Sequence, residues 1–193
     1  MARRDRSVFV ADDPAVDAAV ARANAEELCS AEEIESAIAG MAEKAAVVIG
    51  GRNPIVLSIM NGGLFTTVKL TSHFDFPYET DRIQVSRYGT ELTGHQLTWL
   101  IEPALDCRDR LVLLVDDILD QGVTLDAVKH KLISEGASDV LSAVLVVKDT
   151  ARTTPVSVDF SGLHCPDRYV FGCGMDYRGF WRGLPALYAL AED

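Results

Sequence analysis

Two stretches of the chain are almost purely aliphatic and set the reading of everything around them. Leu111-Val112-Leu113-Leu114-Val115 has no polar position, and Val140 to Val147 is nearly as apolar. Successive strand residues point to opposite faces, so an unbroken apolar run predicts a strand covered on both sides, as in a parallel sheet between helices. Between the two runs, Thr124 to Glu135 is amphipathic and Gly136 stops it. Strand, helix and strand in that order need a crossover, which predicts a parallel α/β sheet. Upstream, Pro54 to Ile59 predicts a short apolar strand, Asn61-Gly62-Gly63 breaks it, and Leu64 to His73 predicts a helix. Ile83 to Arg87 and Leu97 to Ile101 predict two further strands, separated by a polar loop from Tyr88 to Gln96.

The flanks differ in character. Asp13 with Pro14 predicts a helix start and a run through Ala25; Ser30 with Glu33 forms a capping box opening a second helix to about Val48. Neither helix carries chemistry, so both read as packing for the core or as a subunit contact. After Lys148, the stretch Ala151 to Cys165 reads as irregular. Arg168 to Phe171 predicts a strand, Gly172 to Gly183 is rich in glycine and aromatic residues, and Leu187 to Leu190 predicts a last strand. This tail is expected to fold back as a small lobe over the sheet. No repeat, linker or low-complexity tract divides the chain, so residues 1–193 are expected to form one domain.

Charge narrows the partners. There are 18 basic and 29 acidic residues, a formal balance of −11, which argues against a nucleic-acid or anionic-membrane binder. No apolar run approaches the ~18 residues of a membrane helix. Met1 to Val10 holds three arginines without an apolar stretch behind them and does not read as a signal peptide. Cys29, Cys107, Cys165 and Cys173 form no CxxC pair, and the histidines have no metal-ligand spacing. The expectation is a reduced, cytoplasmic protein with ordinary buried thiols.

The chemistry concentrates where the strongest strand ends. Asp116-Asp117-Ile118-Leu119-Asp120-Gln121-Gly122-Val123-Thr124 links that strand to a helix. Ligands of open α/β sheets bind at the carboxyl ends of strands. The turn from Asp120 to Thr124 can aim backbone N–H groups at one point, with a helix N-terminus behind it, which is a phosphate cradle. Gly122 permits close backbone approach and Thr124 offers a hydroxyl. Asp116 and Asp117 repel phosphate but suit ribose hydroxyls and a hydrated Mg²⁺. A sugar phosphate satisfies both halves. An Asp-Asp pair after a strand also suits a phospho-acceptor cluster of a receiver domain, or a plain polar turn.

The whole stretch Leu111 to Leu125 resembles the signature of the type I phosphoribosyltransferases, which bind 5-phosphoribosyl 1-pyrophosphate: an apolar strand, two acids, two apolar residues, then Asp-x-Gly-x-Thr. Gln121 departs from the usual Thr or Ser. The resemblance implies a central, mostly parallel sheet flanked by helices, with a small hood lobe to which the helices of about 13–50 and the segment 151–193 contribute. Other segments resemble the hypoxanthine–guanine branch, in a bacterial rather than vertebrate spacing. Met60-Asn61-Gly62-Gly63 is similar to its pyrophosphate loop, often Leu-Lys-Gly-Gly, which implies pyrophosphate contacts at Asn61, Gly62 and Gly63 and a cis peptide at Met60–Asn61. Ser86-Arg87-Tyr88-Gly89 resembles its mobile flap.

Toward the C-terminus the resemblance implies that Lys148 donates to purine O6, that Tyr169 stacks on the base, and that carbonyls of Val170 and Asp176 face the purine edge. It further implies that Asp176 touches a second Mg²⁺ and that Arg182 clamps pyrophosphate. Asp120 would be the general base at purine N7. Asp116, Asp117, Asp120, Gln121, Gly122, Val123 and Thr124 would hold ribose 5-phosphate, and Asp116, Asp117 and Asp176 would serve the metal. The expected activity is Mg²⁺-dependent purine salvage from hypoxanthine or guanine, by a homodimer or homotetramer. A xanthine- or guanine-preferring transferase and a non-catalytic phosphoribosyl-pyrophosphate sensor are the alternatives.

Overall fold

The structure is a computed structural model that describes residues 13–88, 96–152 and 154–191. Helix α1 (Pro14–Ala23), strand β1 (Glu26–Cys29) and helix α2 (Ala31–Ile49) come first. Strand β2 (Ile55–Met60), helix α3 (Gly63–Thr71), β3 (Glu79–Tyr88) and β4 (Gln96–Ile101) follow. Next are β5 (Leu111–Leu119), α4 (Val123–Ser134), β6 (Asp139–Asp149) and β7 (Phe160–Pro166). The short strands β8 (Val170–Phe171) and β9 (Leu187–Ala189) complete the order.

Six strands form the main sheet in the order β4-β3-β2-β5-β6-β7, parallel except for β4 on β3. The aliphatic runs lie at its centre and divide their side chains between two cores. Val56, Leu113 and Val115 face α2 and α3, with Ile34, Ile38, Ala45 and Leu70. Ile55, Leu57, Val112 and Leu114 point the other way, onto Leu125, Val128 and Leu132 of α4. That division is the period of two expected of a strand buried on both faces. A second, antiparallel sheet, β1-β9-β8, covers Phe171, Tyr188 and Tyr177 together with Ala18 of α1.

From β2 the chain winds outward to β3, and from β5 it winds the opposite way to β6. The carboxyl ends of β2 and β5 therefore flank the point where the winding reverses, which leaves a crevice there. Glycine permits the close approach at this crevice. A Cβ on Gly63 would lie 2.4 Å from the Val115 carbonyl, and one on Gly62 would lie 1.9 Å from an Asp117 carboxylate oxygen. Gly174, at φ +108°, comes in from the tail, where a Cβ would sit 2.2 Å from the Gly62 carbonyl.

Three elements depart from the sequence expectation. The first helix stops at Ala23, and Glu26–Cys29 is an edge strand whose partner is the distant β9. Strand β5 continues through the acidic pair to Leu119 because Asp116, Ile118 and Leu119 pair with Val144, Val146 and Val147 of β6. Phe160–Pro166, expected to be irregular, is the parallel edge strand β7; only Phe160 and Cys165 in it are apolar and buried, so no hydrophobic run marks it.

Asp159 ties the stretch before β7 to the sheet. It accepts from Ser142 N and Ser142 Oγ, both at 2.8 Å, and from Lys129 Nζ at 3.0 Å. Burial alone would raise its carboxyl, but the hydrogen bonds from Lys129 and Ser142 outweigh it and hold the group below the ordinary value. A carboxyl depressed on folding stabilises above its unfolded value, ~3.9, and loses that contribution as pH falls through the folded one. Asp159→Asn should therefore cost about 1–3 kcal/mol at neutral pH. The gap to the native chain should narrow at pH 3, where the unfolded chain already binds the proton that the depressed folded carboxyl still resists. Urea melts at the two pH values test this, and an undiminished gap at acid pH would contradict it. Gly62→Ala should cost about 1–3 kcal/mol by overpacking against Asp117. Thermal melts of the two proteins measure it.

Candidate active site

Two adjoining cavities open at the winding reversal. The first, about 330 Å³, lies between the β2 and β5 ends and is lined by Met60, Asn61, Asp116, Gly122, Thr124 and Arg182, among others. The second, about 280 Å³, is lined by Lys148, Tyr169, Val170, Met175 and Asp176. Asp117, Ile118 and Asp120 border both. Two spaces of similar volume thus meet at the same carboxylates.

The floor of the first cavity is built from two helix starts. Helix α4 begins at Gly122, at φ +80°, and α3 at Gly62; neither has a side-chain cap. Amides at uncapped helix N-termini seek an anion, and the helix dipole favours one. The Met60–Asn61 peptide is cis, at the position the family resemblance implied. Above it, Asp117 is 8 % exposed and accepts the Ile118 N–H at 2.8 Å. Burial pushes the Asp117 carboxyl up; hydrogen bonds from Asp116 and Ile118 and the nearby Arg182 charge oppose that without cancelling it. Asp116 is less buried and lines the same cavity.

Asp120 stands at the junction. Its side chain is 43 % exposed, and Oδ2 lies 3.9 Å from Lys148 Nζ. Lys148 is more enclosed, 13 % exposed, and also faces Asp167 at 3.6 Å. A carboxylate open to a ligand beside a sheltered ammonium supplies an acceptor and a donor to one planar molecule. Tyr169 presents a half-exposed ring, held edge-on against Tyr177 at 5.9 Å, and its hydroxyl donates to the Asp176 carbonyl at 3.1 Å. Gln121 and Val123 belong to the loop and first turn beside Asp120.

Arg182 reaches the first cavity while held from behind. Nη2 pairs with Asp176 Oδ1 at 2.6 Å and Nη1 donates to the Gly174 carbonyl at 2.8 Å. The second Asp176 oxygen accepts the Gly179 N–H at 2.5 Å. Helix α1, read from sequence as core packing or a subunit contact, supports this stretch. Asp17 accepts from Tyr177 Oη at 3.0 Å and Arg178 Nη1 at 2.8 Å, and Trp181 Nε1 donates to Ala18 O at 2.7 Å.

Ser86, Arg87 and Tyr88 lie at the carboxyl end of β3, at the same end of the sheet as Met60. The flap was assigned to Ser86, Arg87 and Tyr88 as the opening of a loop; they are the last residues of the strand, and residues 89–95 fall outside the described residues. Asp116, Asp117 and Asp176 do not converge: among the described residues, no three carboxylates, histidines or cysteines gather at a point that could hold a metal ion. The thiols are free, and burial lifts Cys165 to about 11 and Cys173 to about 12, so neither is a nucleophile at neutral pH. Sequence reasoning missed Arg152, Asp167 and Met175. No periodicity marks Arg152, whose guanidinium touches the loop bearing Asp120.

Comparison with known proteins agrees with this geometry. Residues 24–178 match the family model described as the phosphoribosyl transferase domain. The hypoxanthine-guanine phosphoribosyltransferase of Lactococcus lactis is 35% identical over 169 residues, 86% of this chain and 91% of the relative. The hypoxanthine-guanine-xanthine phosphoribosyltransferase of Tritrichomonas foetus is 29% identical over 86% of this chain and 91% of its own. A solved hypoxanthine phosphoribosyltransferase from Trypanosoma cruzi superposes with a TM-score of 0.81 at 30% identity, covering 88% of this chain and 97% of that one. With a cavity at the winding reversal and a family match spanning most of its length, the chain belongs to the phosphoribosyltransferase family.

Proposed function

We propose that this chain salvages purines: it transfers the 5-phosphoribosyl group of 5-phosphoribosyl 1-pyrophosphate to hypoxanthine or guanine, giving IMP or GMP and pyrophosphate. The observation that carries the reading is the sharing of Asp120 between the loop that opens α4 and the cavity holding Lys148 and Tyr169. The names of the relatives support the same chemistry.

The amides from Gln121 to Thr124 hold the 5-phosphate as a handle, so binding energy serves orientation. Asp116 and Asp117 take the ribose hydroxyls. Asn61, Gly62 and Gly63 receive pyrophosphate on backbone amides, and Arg182 adds its planar fork. Tyr169 stacks on the base while carbonyls of Val170 and Asp176 meet its edge. Lys148 donates to O6, which admits 6-oxopurines; adenine would set an amino group against the ammonium. Asp120 takes the proton from N7 as N9 bonds to the anomeric carbon and pyrophosphate departs from the opposite face. Ser86, Arg87 and Tyr88 lead into a flap that excludes water.

Asp116 and Asp117 offer the hard carboxylate oxygens Mg²⁺ prefers. They would hold the ion as a pair; among the described residues no third carboxylate, histidine or cysteine gathers with them. Mg²⁺ supplies charge neutralisation on pyrophosphate. Asp176, now bonded to Arg182 and Gly179, would be the carboxylate beside a second ion. The buried thiols support a reducing, cytoplasmic setting. Leu64 and Val68, exposed one turn apart on α3, support a homodimer or homotetramer. The wider base range in the name of the Tritrichomonas foetus relative makes xanthine the second candidate base. Initial rates on the three bases rank them.

Asp120→Asn should lower kcat by roughly 10²–10⁴-fold with little change in binding of the ribosyl pyrophosphate. Steady-state kinetics with calorimetry separates the two, and full turnover would remove the general-base role. Lys148→Met should erase most of a preference for hypoxanthine over adenine that can reach ~10⁴-fold. Competing the two bases measures it.

A further inference from the structure

Arg152 lies in the irregular stretch between β6 and β7, four residues beyond Lys148, and is partly buried. Its Nε donates to the Asp120 carbonyl at 3.0 Å. Its Nη2 donates to the Lys148 carbonyl at 2.5 Å and, more weakly, to the Leu119 carbonyl at 3.4 Å. These three acceptors sit where two neighbouring strands part company. The last ladder pair between β5 and β6 is Leu119 with Val147; beyond it β5 turns into the α4 loop while β6 runs on beside β7. Past that pair, carbonyl dipoles of two diverging segments face one another with no amide of the β5–β6 ladder between them. The same stretch also braces the loop from outside, because a Cβ on Gly122 would lie 2.5 Å from Val156 Cγ1 and 3.2 Å from the Thr154 carbonyl.

Two of the residues whose backbone Arg152 grips, Asp120 and Lys148, are those whose side chains meet at 3.9 Å in the shared cavity. We propose that Arg152 is a positioning residue for the transfer reaction: its guanidinium, without touching substrate, fixes the separation between the general base on one strand end and the purine-reading lysine on the next. The proposal rests on the 6-oxopurine phosphoribosyltransferase reading. The planar guanidinium makes these contacts through two separate nitrogens in a fixed fork, which an ammonium on a flexible stem cannot match. A catalytic pair displaced by about 1 Å can lose ~10²-fold in rate.

The test compares the native chain with Arg152→Ala and Arg152→Lys, using hypoxanthine, ribosyl pyrophosphate and Mg²⁺. Arg152→Ala should lose about 10²-fold in kcat, with KM for the ribosyl pyrophosphate within a few-fold. Methylguanidinium added at tens of millimolar should restore part of that rate while leaving the native enzyme unchanged. Arg152→Lys should fold and show an intermediate kcat. Should the alanine variant not fold, the lysine variant decides: a native kcat there overturns the proposal. So does an alanine variant as fast as the native chain, or one whose loss tracks its melting temperature and ignores methylguanidinium. If the native chain itself makes no IMP, the functional reading fails, which these outcomes keep distinct from failure of the Arg152 role.

Discussion

The site depends on how closely two backbones approach at the end of β2. The peptide at Gly62 presses against the Asp117 carboxylate on one side and against Gly174 of the tail on the other, with no room for a methyl group at either contact. This contact joins three parts of the chain that are far apart in sequence. It sets the height of the β2 loop above the sheet, the depth at which Asp117 is buried and the point where the tail folds over. The cavities are the space left once these contacts are made, so their shape follows from glycine backbone rather than from the side chains that line them.

Burial and charge are arranged unequally around that contact. Asp117 is sunk and its carboxyl raised, with Arg182 close enough to oppose the effect. Asp120, three residues on, is open to solvent, with a sheltered lysine opposite. One short segment therefore carries one enclosed acid and one accessible acid. The difference arises because β5 keeps its ladder with β6 through Leu119 and releases the chain only at Asp120.

Much of this was legible in the sequence, for a physical reason. The Leu111 and Val140 runs are unbroken because both faces of their strands are covered, and an acidic Gly-containing turn after such a run has few structural uses. The ends of α2 and α4 were legible from a capping box and a stop glycine. Strands β1 and β7 were not, because each lies at a sheet edge and half of its surface stays wet, so composition carries little of their pairing. The reach of β5 past the acids was hidden for a related cause: Asp116 and Asp117 look like a turn until Val144 and Val146 are known to lie alongside. Arg152 and the Asp17 contacts of α1 act through backbone carbonyls and tail residues, and no local pattern records those.

The pairing of β1 with β9 has an implication for how the molecule is made. The small sheet joins residues 26–29 to residues 187–189, whereas the central β2–β5–β6 ladder needs nothing beyond residue 149. During synthesis the central ladder can therefore consolidate while the small sheet still lacks the strand on which β1 and β8 both pair. The early strand must wait, with its edge unsatisfied, until nearly all of the described chain has emerged. A lesion in the last few strand residues would then spare the central ladder and leave the small sheet unbuilt.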